Sequence, residues 1–558
     1  MNHVDTLFAT ITGAAESSGL ADDGPAPVRI GIVGGGPTSV YTLLHLIRSQ
    51  VPLQITIYER EGSAGPGMPY REGTNDAIML SNIDSREVPP VTRTLVGFLR
   101  SLDSEQLRAY EVTRSEIDES TFYPRLVLGA FYTAELAEVV ARGRSSGHSI
   151  EIATRHHVAD IAPGPDGTIV TARTTEGLEH RLHDHVVIAT GHDWPDQVMS
   201  NGVALRSPWP AHSLRPLARQ RVAILGSSLS AIDVVVTLAT AAGAFVEEGE
   251  GLVWEPEGDA QEMDVTLLSR KGLLPEADWY YPLPLPELEH MTPEAVAKEA
   301  KAGQSGLLTR IFALLAAEMK AADPAYAARV SLAEVEGFAE RHFAERLASD
   351  PWDWARANLA EAAANRRSET IVQWRRVLVT AHEVLEEVTP RLSDADLERF
   401  HKHLKPVFTD GYASVPHRSI KRLLALHDAG RLHLERVGSE TLPEADGHAV
   451  RFDLESGPLI VDAVVDARGQ RATTLEQLGF RSLTRATQSD AFPPSEGYNV
   501  PLAAEQPGSV QCLALPVLLR SRPFVQGLVN AADMGEHAAA EILSHLPAAA
   551  ESPARQTA

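Results

Sequence analysis

The sequence is poor in cysteine, and this shortage removes several classes of protein. Cys512 is the only cysteine among 558 residues, so neither an intramolecular disulfide nor the thiol pair of a disulfide reductase can form. A zinc site built on cysteines is excluded for the same reason, and no metal site is predicted. Cys512 stands in an apolar stretch, which predicts a thiol packed in the core as a small hydrophobe.

Positive charge and long apolar runs are also scarce. Lys and Arg number 50 against 75 Asp and Glu, which gives a formal net charge of −25 at pH 7. Nucleic-acid binding needs clustered cations that neutralise phosphates, so no nucleic-acid partner is predicted. No apolar run reaches the roughly 18 residues of a membrane span, and no basic region followed by an apolar core opens the chain. We therefore predict a cytoplasmic location without membrane contact.

What the sequence does contain is typical of a globular protein of two to four domains, with 44% hydrophobic and 22% charged residues. Short β-branched runs alternate with segments of helical periodicity. This alternation predicts the α/β class, with parallel sheets covered by helices on both faces. The predicted strands are at 28–33, 54–58, 186–190, 221–225, 265–268 and 461–465.

A glycine-rich loop follows the first predicted strand. Gly34 allows a tight turn from strand to helix, and Gly36 lets the backbone approach a pyrophosphate at the helix N-terminus. Glu59 ends the next strand, where a carboxylate can accept hydrogen bonds from a ribose diol. These positions predict a Rossmann-type dinucleotide site, whose candidate ligands here are Gly34, Gly36, Pro37, Thr38, Ser39 and Glu59. A second glycine-rich loop follows, and it adds Met68, Ser81 and Asn82 as candidates.

A second loop of small residues follows the strand at 221–225, and its candidate ligands are Gly226, Ser227, Ser228 and Ser230. The next strand ends not in an acid but in Arg270 and Lys271. A guanidinium at this point fits a 2′-phosphate by its charge and its planar donors, which favours NADPH over NADH. The loop lacks the final glycine of a hydrolase nucleophile elbow, so that alternative is rejected.

The order of these motifs resembles the class B flavoprotein monooxygenases. Gly36-Pro37 is similar to the loop of the N-hydroxylating members, and His212-Ser213 to a segment that precedes their second glycine motif. The full Baeyer–Villiger pattern is absent because no Phe-x-Gly precedes His212. The segments 123–125, 269–275 and 527–535 resemble a bacterial FAD/NAD(P)-binding subgroup. That subgroup includes L-aspartate N-monooxygenases, which form nitrosuccinate.

The resemblance implies FAD in the first dinucleotide fold and NADPH in the second. It also implies that O₂ adds at flavin C4a and that the resulting C4a-hydroperoxyflavin transfers a hydroxyl group to a small amine or amino acid. The oligomeric state stays open. His212 is a catalytic candidate, and Asp533 is a further flavin contact. A dicarboxylate such as L-aspartate would need cationic clamps, and the candidates are Arg86, Arg93, Arg125, His417 and Arg418.

The stretch between the two halves of the second dinucleotide fold is rich in Ala, Glu, Arg and Leu, and segments 307–320 and 352–366 have the spacing of amphipathic helices. The predicted division of the chain is a flexible arm at 1–27, the FAD domain at 28–215, the NADPH domain at 216–284, a helical insertion at 285–404, the rest of the NADPH domain at 405–460, the C-terminal part of the FAD domain at 461–545, and a flexible tail at 546–558.

Two other functions remain open on the sequence. One is an NAD(P)H-dependent flavin dehydrogenase or reductase that inserts no oxygen. The other is a flavin-binding protein without enzymatic activity, in which the helical insertion would bind a partner. Two dinucleotide loops in one chain favour an enzyme, because a sensor needs no second nucleotide.

Overall fold

The structure is a computed structural model that describes residues 27–192, 194–195, 197–258, 262–438, 440–488 and 498–546. Apart from Pro27 and Leu546, the predicted N-terminal arm and C-terminal tail lie outside the described residues. The strands are β1 (Val28–Val33), β2 (Leu53–Glu59), β3 (Ser149–Thr154), β4 (His157–Gly164), β5 (Gly167–Thr174), β6 (Gly177–His183), β7 (His185–Ile188), β8 (Gln197–Ser200), β9 (Val203–Arg206), β10 (Arg221–Leu225), β11 (Gly243–Glu248), β12 (Gly251–Pro256), β13 (Asp264–Ser269), β14 (Leu432–Arg436), β15 (Glu444–Asp446), β16 (Ala449–Leu454), β17 (Gly457–Val461), β18 (Ala463–Asp466) and β19 (Val510–Cys512).

The α-helices of the described residues alternate with these strands in the two sheet regions and follow one another in the middle of the chain. They are α1 (Pro37–Leu46), α2 (Gly67–Tyr70), α3 (Leu95–Ser101), α4 (Ser104–Ala109), α5 (Arg125–Ser145), α6 (Leu229–Ala242), α7 (Pro293–Lys301), α8 (Leu307–Ala322), α9 (Pro324–Val330), α10 (Phe338–Leu347), α11 (Pro351–Ser368), α12 (Gln373–Val388), α13 (Asp394–His403), α14 (Lys405–Tyr412), α15 (His417–Asp428), α16 (Arg481–Ala486), α17 (Leu515–Leu518) and α18 (Leu528–Ser544).

The first sheet has the strand order β19-β7-β1-β2-β3, and all of its pairings are parallel. Helices α1 and α18 pack together beside it. Gly535 makes this approach possible, because a Cβ there would lie 2.8 Å from the backbone nitrogen of Thr42. The parallel sheet with its helices confirms the predicted α/β class.

The antiparallel sheet β4-β5-β6 lies between β3 and β7 in the chain. The sequence analysis did not predict it, although polar residues alternate with apolar ones along parts of β5 and β6, as in half-buried strands. Val170 and Ala172 of β5 are buried in a cluster with Val33 and Tyr58 of the first sheet. The small sheet therefore covers part of the parallel sheet.

The second sheet has the order β14-β13-β10-β18-β9-β8. The strands that form this sheet differ from the predicted domain boundaries at two places. Strand β18 pairs in parallel with β10, although the predicted FAD domain resumed at 461. Residues 197–206 also lie in the second sheet, although the prediction placed them in the first domain. A β-branched run predicts a strand but carries no information about which sheet the strand joins.

The middle of the chain, from α7 to α14, folds as packed helices that share a hydrophobic core, except that α11 packs into the core of the second sheet. Helices α8 and α11 confirm the amphipathic segments predicted at 307–320 and 352–366. Phe338, Phe400 and Phe408 are almost completely buried in this core. Within the described residues, no helix is long and apolar enough to cross a membrane.

Cys512 ends β19 and is completely buried. Burial raises the pKa of its thiol to about 12, since the thiolate would lose its hydration. The predicted core thiol is therefore confirmed, and Cys512 is not a nucleophile in the folded chain.

Candidate functional site

A cleft of about 1060 Å³ is lined by the first glycine-rich loop, the start of α6 and parts of the middle helices. It lies beyond the carboxyl ends of the strands in the first sheet, where ligands of open α/β sheets bind. Residues from regions far apart in the chain meet there, including Gly34, Ser230, Tyr412 and Asp533.

The loop after β1 depends on Gly34. Its φ of +109° is unfavourable for any residue with a Cβ, and a Cβ would also collide with the carbonyl oxygen of Ala189. The Gly34 amide donates to the carbonyl of Tyr58 over 2.8 Å. These contacts hold the loop between the ends of β1, β2 and β7.

Glu59 lies against this loop at the end of β2 and is 5% exposed. Its carboxylate accepts hydrogen bonds from the amides of Gly35, over 3.2 Å, and Glu61, over 2.8 Å. The side chain of Arg71 approaches it to 3.3 Å. Burial raises the pKa of Glu59, while Arg71 and the two amides lower it. The carboxylate lines the cleft where a ribose diol can reach it.

Helix α1 begins at Pro37 without a side-chain cap. Its first turn therefore leaves backbone N–H groups for a ligand, and proline at the first helical position is preorganised for this geometry. Ser39 is buried and donates its hydroxyl proton to the carbonyl of Gly34 over 2.6 Å. Ser39 thus braces the loop, and the structure does not place it among the residues that line the cleft.

The loop after β10 repeats the backbone geometry of the first. Gly226 has a φ of +116°, and its amide donates to the carbonyl of Leu268 over 2.8 Å. A Cβ at Gly226 would lie 2.7 Å from the carbonyl oxygen of Ala467. Helix α6 also begins without a side-chain cap. This site fits a second dinucleotide, because it combines a glycine loop, the ends of neighbouring strands and an uncapped helix N-terminus.

Most predicted ligands of the first nucleotide line the cleft, namely Gly34, Gly36, Pro37, Thr38, Glu59, Met68, Ser81, Asn82 and Asp533. In the second loop, Ser230 lines the cleft, whereas Gly226, Ser227 and Ser228 lie outside its lining. Ser227 donates its hydroxyl proton to the carbonyl of Leu273 over 2.6 Å.

A cluster of cations surrounds the end of β13. Arg270 is exposed there, and its charge helps lower the pKa of Lys271 and Lys405, although burial is the larger cause for both. The pKa of Lys271 falls to about 8, and its Nζ lies 3.5 Å from the ring centroid of Phe343. The cluster concentrates positive charge at the predicted 2′-phosphate position.

Of the predicted substrate clamps, the structure brings Arg86 and Arg125 to the cleft. Arg86 binds Asp84 through Nη2 at 2.6 Å. Arg125 binds Asp233 through Nη2 at 2.6 Å. Both guanidinium groups therefore already have a carboxylate partner within the chain.

The other candidates lie outside the cleft lining. Arg93 binds Glu135 at 2.8 Å, and the exposed Arg418 lies 3.6 Å from Glu247. His417 is hydrogen-bonded through Nε2 to the carbonyl of Asp278 over 2.6 Å. Its ring therefore holds the backbone of a residue that does line the cleft.

His212, the catalytic candidate, lies in the 3₁₀ helix Ala211–Leu217 with an exposed side chain. Its Nδ1 is hydrogen-bonded to the carbonyl of Gly73 over 2.8 Å. The side chain is not part of the cleft lining, although Trp209 in the same segment is. The structure thus places His212 at the edge of the site.

The cleft also holds carboxylates that the sequence analysis missed. Asp278 lies 2.6 Å from Arg366, and burial raises its pKa to about 7. Glu87 accepts a hydrogen bond from the Tyr281 hydroxyl. Three more carboxylates come from α12, namely Glu383, Glu386 and Glu387. No sequence motif identifies these residues, because only the fold brings their carboxylates to the cleft.

Two family models match the chain. One, described as FAD-NAD(P)-binding, matches residues 31–193. The other, described as a YdhS-like middle domain, matches residues 292–412. The first match agrees with the dinucleotide geometry of the loop after β1, and the second covers the middle helices.

Solved structures with a similar fold include Kutzneria sp. 744 ornithine N-hydroxylase, at 16% identity, with a TM-score of 0.47 and coverage of 93% of this chain and 99% of that one. L-lysine 6-monooxygenase from Pseudomonas syringae has 14% identity, a TM-score of 0.48 and coverage of 93% and 99%. The bacillithiol disulfide reductase Bdr from Bacillus cereus has 12% identity, a TM-score of 0.44 and coverage of 93% and 100%. These likenesses are too distant to assign an activity.

A relative in Escherichia coli strain K12, described as uncharacterized protein YdhS, is much nearer in sequence. It is 36% identical over 514 residues, which are 91% of this chain and 96% of that protein. The alignment therefore spans the dinucleotide folds and the middle helices together. The chain belongs to the YdhS family, in which it combines an FAD-NAD(P)-binding domain with a YdhS-like middle domain.

Proposed function

We propose that this protein is an FAD-dependent, NADPH-consuming monooxygenase that N-hydroxylates a small amine or amino acid. The observation that carries the proposal is the repeated nucleotide-loop geometry at Gly34 and Gly226 beside one cleft. Two nucleotide folds facing a shared cleft suit hydride transfer between two bound cofactors. With L-aspartate as the substrate, the first product would be the N-hydroxy amino acid, and nitrosuccinate would form after two further rounds of oxidation by O₂ and NADPH.

The residues of the chain have definable tasks in this reaction. The amides at the start of α1 would bind the FAD pyrophosphate, and Glu59 would bind its ribose. Arg270 would bind the 2′-phosphate of NADPH. Bound FAD supplies the capacity to accept a hydride and to activate O₂. Trp209, Trp279 and Tyr281 line the cleft with bulky rings, which would keep water away from the bound cofactors.

The test is a screen of the FAD-loaded protein for NADPH oxidation across amino acids and small amines. Oxygen uptake, hydrogen peroxide, nitrite and the mass of the amine product are recorded together. We expect an amine that accelerates NADPH oxidation and gains at least one oxygen atom. Stopped-flow mixing of the reduced protein with O₂ should show a transient absorbance distinct from oxidised flavin.

Two outcomes would reject the monooxygenase. If NADPH oxidation yields hydrogen peroxide in equal amount with every amine, the protein is a flavin reductase without oxygen insertion. If the FAD-loaded protein oxidises no NADPH with any amine, a flavin-binding role without catalysis replaces the proposal. Arg219→Ala serves as a matched control for cation variants, since Arg219 is exposed in the second domain outside the cleft.

A further inference from the structure

A small cavity lies behind the wall of the cleft, where the first fold, the second fold and α15 meet. Its volume is about 20 Å³, which is enough for one water molecule or one monoatomic ion. Its walls come from residues 80–82, from the first turns of α6 and from the start of α15. Ser81, Asn82, Arg125 and Leu229 line both this cavity and the cleft. It is called the junction cavity below.

Arg422 is a buried cation in the wall of the junction cavity. It is only 4% exposed. Its Nη1 donates to the carbonyl of Ile78 over 2.9 Å, whereas its Nε finds no hydrogen-bond partner within the described part of the chain. Its guanidinium lies 5.8 Å from the ring centroid of Phe245 and forms no ion pair with a described carboxylate. A buried charge that is not compensated is costly, so this position favours a counter-ion.

The guanidinium of Arg422 keeps its charge despite its burial. Burial lowers its pKa to about 10, and the positive charge of Arg418 adds to this effect. The exposed Glu111 acts in the opposite direction through space. Since a pKa of about 10 is still well above neutral pH, Arg422 brings a full positive charge to the junction cavity.

The carboxylate in the lining of the junction cavity does not neutralise Arg422. This carboxylate belongs to Asp233, which is paired with Arg125 at 2.6 Å. Asp233 is not among the charges that shift the pKa of Arg422. The lining therefore contains two guanidinium groups and one carboxylate, which leaves an excess of one positive charge.

Ser419 adds a hydrogen-bond donor beside this charge. It lies three residues before Arg422, on the same face of α15, and is 6% exposed. Its hydroxyl lines the junction cavity and forms no hydrogen bond with any residue that the structure describes. The buried side chains of Ile232, Val236 and Val415 form much of the remaining wall. A guanidinium and a hydroxyl that both donate into a small apolar space suit an anion without bulky groups.

We propose that the junction cavity binds a halide ion, such as chloride, as the counter-ion of Arg422. The volume of about 20 Å³ excludes organic anions and polyatomic anions such as phosphate. A water molecule could accept the hydrogen bonds of Arg422 but would leave its charge uncompensated. The bound ion would join α15 to α6 and to the first fold behind the cleft, and it would stabilise their arrangement. This site goes beyond the proposed function and does not depend on it.

The first test measures the melting temperature of the FAD-loaded full chain in potassium chloride, potassium bromide and potassium gluconate at equal ionic strength. We expect a rise that saturates with chloride and with bromide but not with gluconate, because an ion that binds only the folded chain stabilises it by mass action. Arg422→Met should abolish this rise, since it removes the charge and keeps an unbranched apolar side chain. An equal rise in Arg422→Met and in the unaltered protein would overturn the proposal.

Arg356→Met is the matched control. Arg356 is 44% exposed on α11 and pairs with Asp428 of α15, outside the lining of the junction cavity. This variant should keep the chloride-dependent rise of the unaltered protein, and circular dichroism should show that both variants are folded. Loss of the rise in both variants would indicate a general effect of surface charge and would also overturn the proposal.

A second test uses the unaltered protein and stays decisive if Arg422→Met does not fold. Crystals grown in bromide should show an anomalous scattering peak in the junction cavity, between Arg422 and Ser419. A cavity that holds only water would overturn the proposal. A bromide peak without any effect of chloride on the melting temperature would mean an adventitious ion only. Neither test uses NADPH or O₂, so failure here leaves the proposed monooxygenase untouched.

Discussion

Arg125 and Asp233 form a buried ion pair, with 2.6 Å between Nη2 and Oδ2, which joins the two dinucleotide folds beside the cleft. Arg125 begins α5 of the first fold, and Asp233 lies on α6 of the second. Their side chains are 13% and 7% exposed. The guanidinium also lies 5.5 Å from the ring centroid of Trp209. The pair couples the position of α6 to that of α5.

Removing Arg125 should destabilise the protein. Arg125→Ala leaves Asp233 buried without its partner, which costs about 3–5 kcal/mol for a broken buried pair. Thermal and denaturant unfolding of the FAD-loaded protein would measure the loss. Arg142→Ala is the control on the same helix, because Arg142 forms an exposed pair with Glu138 and such pairs contribute about 1 kcal/mol or less. Equal effects of the two substitutions would contradict a stabilising role for the buried pair.

Glu59 should determine FAD affinity. Glu59→Gln removes a charged acceptor for the ribose hydroxyls, and hydrogen bonds to charged groups contribute about 1.5–3 kcal/mol. We expect FAD to dissociate at least about tenfold more readily, as measured by flavin fluorescence during dilution. Glu72→Gln should retain FAD normally, since Glu72 is exposed and outside the cleft lining. Unchanged FAD retention in Glu59→Gln would refute the ribose contact.

Arg270 should determine the choice between NADPH and NADH. Arg270→Ala removes a guanidinium that only the 2′-phosphate of NADPH would use. We expect kcat/KM for NADPH to fall about tenfold or more while the value for NADH stays within about twofold. Arg219→Ala is the control. A parallel loss with both nucleotides would indicate a structural role for Arg270 instead.

Glu386 should make the ligand-free protein less stable at high pH. The folded-state pKa of about 7 lies above the ordinary value of 4.5, so folding disfavours the charged form, and stability falls as the pH rises through this range. Burial is the main cause, Glu387, Asp533 and Glu383 add to it, and Arg522 opposes it.

Glu386→Gln should therefore raise the melting temperature at pH 8, where it removes a buried charge. At pH 5 it should have little effect, because Glu386 is already protonated there. Differential scanning fluorimetry at the two pH values measures the difference between Glu386→Gln and the control Glu398→Gln, which alters an exposed carboxylate on α13. A stabilisation equal at both pH values would show that the charge of Glu386 is not responsible.

The nucleotide loops were predictable because their signals are local. Gly34 and Gly226 each follow an apolar strand and precede a helix, and both have the positive φ that favours glycine. The helices at 307–320 and 352–366 were also predictable, since apolar spacing along one face needs no distant residue. In contrast, β18 was assigned to the wrong sheet, because sheet membership depends on distant strands.

The substrate residues were the least predictable part of the site. Arg86, Arg93 and Arg125 were candidates because arginine binds carboxylates, but the fold supplies their partners from within the chain, at Asp84, Glu135 and Asp233. Arg422 is buried without a carboxylate partner among the described residues, although no motif in the sequence identifies it. A charge becomes available to a ligand only when packing leaves it without an internal partner.

The sequence by itself determined the two glycine loops, the acid that ends one strand and the cations that end another. It also determined that the single cysteine packs in the core. These features act over a few residues, so neighbouring positions specify them. The tertiary structure alone decided which charged side chains neutralise each other and which are buried without a counter-charge. Electrostatic pairing acts through space between residues far apart in the chain, and only the folded arrangement of α5, α6, α15 and the two sheets brings those residues together.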